Sequence, residues 1–174
     1  MPAAERLLGV QLWLNRPKSA KRSKPIYHSI RKSDIEEIEF DRGKIRIQAG
    51  NYKSYQGYKG DHLPLNYYDI HMYENAEITL DTLEYTAVMI FTLIGDVYVG
   101  GERIKEKTAV KLTSGNELII KNADKFAQVL FIESKALNEP VAWAGPIVMN
   151  TQEEIREAYI DLHNATFIKD NIRY

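Results

Sequence analysis

The residues best suited to chemistry lie in one short stretch, "YYDIHMYE", Tyr67 to Glu74. Successive side chains of a β-strand point to opposite faces, so Asp69 and His71 would share a face with Tyr73, while Glu74 points away. A carboxylate beside an imidazole is the start of a metal site, and His62 in the preceding loop is placed to supply a third ligand. No H-x-H or H-E-x-x-H pattern accompanies them, and the chain has only the histidines His28, His62, His71 and His163. The alternative is a strand histidine satisfied by a neighbour or by water. That is the expectation adopted: no catalytic residue, no metal and no cofactor, with His62, Asp69 and His71 kept as the metal candidates.

Other chemistries find less support. Ser114 in "LTSGNE" precedes a strand and lacks the G-x-S-x-G strand-to-helix elbow of an activated serine. Gly95 and the Gly100–Gly101 pair miss the G-x-G-x-x-G spacing of a phosphate cradle. The neighbouring carboxylates Glu36–Glu37 and Glu153–Glu154 read as solvated surface, with nothing to make them share a proton. Arg16, Lys18, Lys21, Arg22 and Lys24 form a basic loop, but the net charge of -1 gives no reason to expect nucleic acid or a membrane as partner. Tyr52, Tyr55, Tyr58, Tyr67 and Tyr68 crowd a Gly- and Lys-rich stretch that reads as one long loop. Their amphipathic rings suit an interface or a ligand mouth.

The elements that must position these groups are strands. A chain of 174 residues supplies one sizeable core. It has no cysteine, which excludes disulfides, thiolate chemistry and a Cys zinc site and fits a cytoplasmic protein. No stretch approaches the roughly 18 apolar residues of a membrane span, and "MPAAERLLG" lacks the pattern of a secretory signal. "GVQLWLN", Gly9 to Asn15, alternates like a strand. Ile38 and Phe40, then Asp41-Arg42-Gly43, then Ile45 and Ile47 spell a hairpin. Further short Val-, Ile- and Phe-rich runs follow at "AEITL", "YTAVMIFTLIGDVYVGGERI", "TAVKLT", "ELIIKN" and "FAQVLFIES", parted by Gly, Asn and Asp turns. No crossover helix separates them, so a sandwich or small barrel is expected. The one good helix comes last. Thr151 and Glu154 have capping-box spacing, and Ile155, Ala158, Tyr159 and Leu162 form its apolar stripe.

"GVQLWLNRP" (Gly9 to Pro17) and "LNEPVAWAGPIVMNTQEEI" (Leu137 to Ile155) resemble the hallmark stretches of the C-terminal half of the pirin family. "DIHMYENAEITL", "VYVGG" and the late "NATF" fit between and after them in order. Arg16 departs from the pattern, since the family tends to place an apolar residue before that proline. The resemblance implies an all-β cupin, a double-stranded β-helix or jelly-roll barrel, closed by a C-terminal α-helix. Pirin-like proteins are bicupins whose N-terminal cupin holds iron with three histidines and a glutamate. That half is associated with quercetin dioxygenase activity in some bacterial members and with transcriptional co-regulation in the mammalian one. The C-terminal cupin generally has no metal, and the segment here that precedes the strand "AVMIFTLIG" has no histidine.

The resulting expectation is a single cupin domain over 1–174, with the barrel at about 9–136 and a connector and helix at about 137–167. In the connector Val141, Trp143, Ile147 and Met149 would anchor the chain, and Val88, Ile90 and Phe91 around the central strand would fill the barrel as core unless a ligand takes that room. Its function is expected to be non-catalytic, a structural or protein-binding role and not an enzyme on its own. The alternatives are a quercetin dioxygenase-like oxidoreductase with an atypical metal site and metal-free binding of a small ligand in the barrel. Val10, Leu12, Trp13, Trp143, Ile155, Tyr159 and Leu162 are the expected interface residues. The expected partner is a second copy of the chain or a separate N-terminal cupin.

Overall fold

The computed structural model describes residues 8–168. The chain start in which no secretory signal was expected, Met1 to Leu7, lies outside them. Two compact units divide the described chain: one is residues 25–138, and the other is residues 8–24 together with 139–168.

The larger unit is the expected antiparallel jelly roll. Its six-stranded sheet runs in the order β1 (Glu36–Phe40), β2 (Gly43–Ala49), β5 (Leu65–Tyr73), β12 (Phe126–Lys135), β7 (Thr86–Ile94) and β10 (Ala109–Lys111). The four-stranded sheet runs β6 (Glu77–Asp81), β11 (Glu117–Asn122), β8 (Val97–Val99) and β9 (Glu102–Ile104). A small hairpin of β3 (Asn51–Tyr52) and β4 (Tyr55–Gln56) stands apart from both sheets.

Period-two alternation decides which side chains meet inside. On β2, Ile45 and Ile47 are fully buried, while Lys44, Arg46 and Gln48 between them take the outer face. On β5, Tyr68, Ile70 and Met72 turn inward. On the opposing sheet Ile78, Leu80, Leu118, Ile120 and Val97 do the same, so one cluster spans both sheets. Each such side chain withdrawn from water contributes about 1.5–3 kcal/mol. Val88 and Ile90 belong to this interior, as expected. Phe91 does not, because the pleat turns it to the other face of β7. The β1–β2 hairpin forms as expected, with Arg42 in the left-handed region at φ 59° and Phe40 opposite Gly43. Gly43 is required there. A Cβ would stand 2.3 Å from the Phe40 ring and 2.5 Å from the His71 carbonyl oxygen.

Two expectations about elements fail. Gly9–Asn15 forms no strand: alternation creates a strand only where a partner edge is available, and none pairs with it among the described residues. The barrel sheets therefore begin at Glu36, not near residue 9. The Tyr-rich stretch is not one loop either. It contains the β3–β4 hairpin, and Tyr67 and Tyr68 belong to β5.

In the smaller unit, β13 (Ala142–Ala144) and β14 (Ile147–Met149) form a hairpin about Gly145 and Pro146, and α1 (Gln152–His163) follows. Thr151 caps the helix. Its hydroxyl accepts from the Glu154 backbone N–H at 3.1 Å, and the Glu154 carboxylate accepts from the Thr151 N–H at 3.0 Å, the reciprocal pairing its spacing called for. Ala142, Ile147, Met149, Ile155 and Ala158 make the buried cluster. Ile147 and Met149 thus anchor the connector as expected. Val141 and Trp143 instead flank Ala142, which takes the inward face of β13, and are left 64% and 69% exposed. No helix among the described residues is long and apolar enough to cross a membrane.

Candidate functional site

The outer face of the six-stranded sheet carries the polar cluster that contains the sequence candidates. Strand register builds it: Arg46 on β2 lies opposite Asp69 on β5, Lys44 lies opposite His71, and Gln128 on β12 faces His71 from the other side. Asp69 is 5% exposed and fully engaged. Its Oδ2 accepts from the Arg46 guanidinium at 3.0 Å and its Oδ1 from the Gln128 amide at 2.8 Å. His71 Nε2 approaches Oδ1 to 3.2 Å, an ion-pair distance without hydrogen-bond alignment, so that nitrogen is buried and otherwise unpartnered. Phe126 meets the imidazole edge-on at 5.8 Å.

Burial pushes the Asp69 carboxyl upward, but the His71 imidazole, the Gln128 amide and the Arg46 charge outweigh it and hold the group below the ordinary carboxylate value. A depressed folded-state value adds stability that is present at neutral pH. It is lost as pH falls from the unfolded value through the folded one. The urea midpoint of the native protein is therefore expected to drop below about pH 4, and Asp69→Asn is expected to drop less steeply. Parallel midpoint-against-pH curves for the two proteins would show that Asp69 is not held in this way.

His62 is not part of this cluster. It lines a cavity of about 400 Å³ beside the β3–β4 hairpin, together with Tyr58, Lys59, Asp61 and Asn66. Tyr58 packs on His28 at 5.1 Å in that region, and Tyr52 meets Tyr68 edge-on at 5.8 Å. Tyr68 itself points into the barrel, where its hydroxyl donates to the Asn51 carbonyl oxygen and burial pushes it far above the ordinary phenol value. Tyr55 is exposed and Tyr67 half-buried.

A cupin metal does not fit these residues. Asp69 has its oxygens committed to Arg46 and Gln128, His62 lies elsewhere, and no group of three or more His, Cys, Asp or Glu gathers among the described residues. The barrel interior, where such a metal would sit, is lined by Ile, Leu, Val, Met and Phe side chains. At one end a shallower cavity of about 290 Å³ opens among Thr82, Val99, Thr113, Ser114 and Glu117.

Of the expected interface residues, Val10, Trp13, Trp143, Tyr159 and Leu162 are exposed, and Leu12 is half-buried. Ile155 is only 5% exposed and packs inside its own unit, because the helix stripe turns Ile155 and Ala158 inward and leaves Tyr159 at its rim. Two groups escaped the sequence reading. Arg46 and Gln128 reach Asp69 from strands far away in the chain, with no local signal. Glu133 is 4% exposed on β12 and accepts from the Asn66 amide, the Leu83 N–H and the Thr86 hydroxyl.

Comparison with known proteins places this arrangement. Residues 67–168 match the family described as "Pirin C-terminal cupin domain". The chain is 32% identical over 171 residues to "Putative quercetin 2,3-dioxygenase Ta0133" of Thermoplasma acidophilum, covering 93% of this chain and 66% of that protein. It is 31% identical over 172 residues to human pirin, covering 95% of this chain and 59% of pirin. The chain thus spans about two thirds or less of these relatives. A crystal structure titled as quercetin 2,3-dioxygenase from Acinetobacter baumannii superposes with a TM-score of 0.82 at 32% identity, covering 89% of this chain and 55% of that one. These likenesses overturn the expectation of a non-catalytic module that is not an enzyme, since the Thermoplasma acidophilum relative and the Acinetobacter baumannii structure bear the names of dioxygenases.

Proposed function

The chain belongs to the pirin family through its C-terminal cupin domain, and on that premise we propose that it is a quercetin 2,3-dioxygenase-like cupin oxidoreductase, working paired with another cupin domain. The observation that carries the proposal is the similarity to the Acinetobacter baumannii quercetin 2,3-dioxygenase, in which fold and sequence identity coincide over most of this chain. In this proposal residues 1–174 act as one C-terminal-type cupin, with barrel and connector unit serving together, and a cysteine-free chain in a cytoplasmic setting.

The chemistry of the family needs a metal to bring dioxygen and a flavonol together, and the described residues do not make its cage. No step of the reaction is therefore assigned to Asp69 or His71. What this chain contributes in this proposal is a barrel with an apolar interior and an exposed apolar surface. Val10, Trp13, Trp143, Tyr159 and Leu162 are exposed large hydrophobics of the kind that a partner covers. The proposed partner is a metal-bearing cupin, with a second copy of the chain as the competing occupant of that surface.

The test is oxygen-dependent loss of quercetin absorbance, followed with the protein and a metal-bearing cupin of the pirin family, each of Fe(II), Mn(II), Co(II) and Ni(II) being added in turn. Catalytic loss that stops under anaerobic conditions is the expected result. Absence of turnover with every metal, in a mixture that light scattering shows to be assembled, would refute the proposal.

A further inference from the structure

A cavity of about 260 Å³ in the smaller unit has no role in the proposed reaction. It is walled by Trp13, Leu14, Asn15, Arg16 and Lys21 from the N-terminal segment and by Pro146 and Val148 from the β13–β14 hairpin. Both walls are held in place. Pro17 leads into the 3₁₀ turn Lys18–Ala20, the Lys18 N–H donates to Glu139 Oε2 at 2.8 Å, and Ala20 is buried. On the other side, the Tyr159 hydroxyl donates to the Ala144 carbonyl at 3.0 Å, bracing the hairpin turn.

The charges at this cavity are unbalanced. Glu139 and Glu154 are taken up by local donors: Glu139 by Lys18 N–H and Asn150, Glu154 by the backbone N–H groups of Asn150 and Thr151. Lys21 Nζ donates to Asn15 Oδ1 at 2.5 Å. Burial pushes its ammonium below the ordinary lysine value, against the pull of Glu139 and Glu154. Arg16 is half-buried, and its guanidinium has no hydrogen bond or ion pair among the described residues. Half-buried guanidinium groups without an anion are costly, and the planar fork of arginine matches a carboxylate. Beside it stand the indole of Trp13, 59% exposed, and the apolar Leu14, Pro146 and Val148.

We propose that this cavity binds a one-ring aromatic carboxylate, its carboxylate on Arg16 and Lys21 and its ring against Trp13, Leu14, Pro146 and Val148. Size supports a single ring, since the cavity falls below the about 300–1,000 Å³ of drug-sized pockets. Charge selects an anion, because Arg16 and Lys21 line the cavity and no carboxylate does. The site does not depend on the dioxygenase proposal.

The probe is benzoate, titrated into ¹⁵N-labelled protein while the Trp13 indole N–H resonance is followed. Trp143 is an internal reference, its indole N–H donating to the Gly145 carbonyl at 2.6 Å. A saturable shift of Trp13 with an affinity of ~1 mM or better is expected. Acetate, which lacks the ring, and benzyl alcohol, which lacks the charge, are each expected to bind about tenfold more weakly or worse. Arg16→Leu is expected to lose at least about tenfold in benzoate affinity, and Arg16→Lys is expected to lose less. An unchanged Trp143 resonance reports that the variants are folded, and Lys21→Met supplies a second, independent loss if Arg16→Leu proves unstable. The proposal is overturned by the absence of a saturable Trp13 shift, by equal affinity for benzoate and benzyl alcohol, or by undiminished affinity in a folded Arg16→Leu protein.

Discussion

Phe131→Ala is expected to destabilise the protein by about 3–5 kcal/mol, a large share of the 5–15 kcal/mol that ordinary domains possess. Phe131 is 1% exposed at the middle of β12, flanked by Tyr68 on β5 and Ile90 on β7. Its ring stacks on Tyr68 at 5.2 Å, with the planes 19° apart. Truncation removes the transfer energy of the ring and leaves a void between two sheets that cannot close on each other, because each is held by its own ladder. Offset aromatic pairs add about 0.5–1.5 kcal/mol beyond area, so Phe131→Leu should recover much but not all of the loss. Urea unfolding checks both variants, with the midpoint falling and the slope unchanged. A cost below about 1 kcal/mol for Phe131→Ala would mean that the interior is not packed around this ring.

Glu133→Ala should cost about 3 kcal/mol for a different reason. The carboxylate is buried on the same strand and ties three segments together. Oε2 accepts from Asn66 at 2.8 Å, and Oε1 accepts from the Leu83 N–H at 3.1 Å and the Thr86 hydroxyl at 2.7 Å. Removing it leaves these donors without an acceptor, and the lost hydrogen bonds to a charged group are of the stronger kind. Part of the cost returns because a buried charge no longer has to be desolvated, which keeps the estimate below the sum of three such bonds. Glu133→Gln retains one oxygen for Leu83 and Thr86 but presents an N–H₂ group to the Asn66 amide, and should fall between. Hydrogen exchange should locate the loosening at the β6–β7 connection near Leu83 and Thr86. Uniform loosening of the barrel would count against a tie at that place.

These two residues also mark how far the sequence could be read. Inward positions such as Val88 and Ile90 were legible because one buried face imposes period two, which also places Phe91 on the other face. The Arg42–Gly43 turn and the Thr151–Glu154 cap were legible because both are local. Glu133 was not. In "FIESK" it looks like the polar end of a strand, and its partners lie 67, 50 and 47 residues away. The Asp69–His71 pairing followed from alternation on one strand, whereas Arg46 and Gln128 come from other strands and complete a cluster that leaves Asp69 nothing to offer a metal. Gly9–Asn15 misled for the converse reason: its pattern is that of a strand, but no edge pairs with it among the described residues. Tyr67 and Tyr68 misled because aromatic residues on both faces of β5 hide the alternation.

Function was less legible than fold. The absence of a histidine-rich pattern argued for a non-catalytic role, yet an activity can belong to a pair of cupins while one of them holds the metal. The most direct measurement of the proposed activity is isotopic. The assembled protein is given quercetin under ¹⁸O₂, and the products are weighed by mass spectrometry. A dioxygenase places both atoms of one dioxygen molecule in the products, so double labelling that depends on the presence of this chain is the predicted result. Products carrying no ¹⁸O, or the same labelling when this chain is left out, would contradict it.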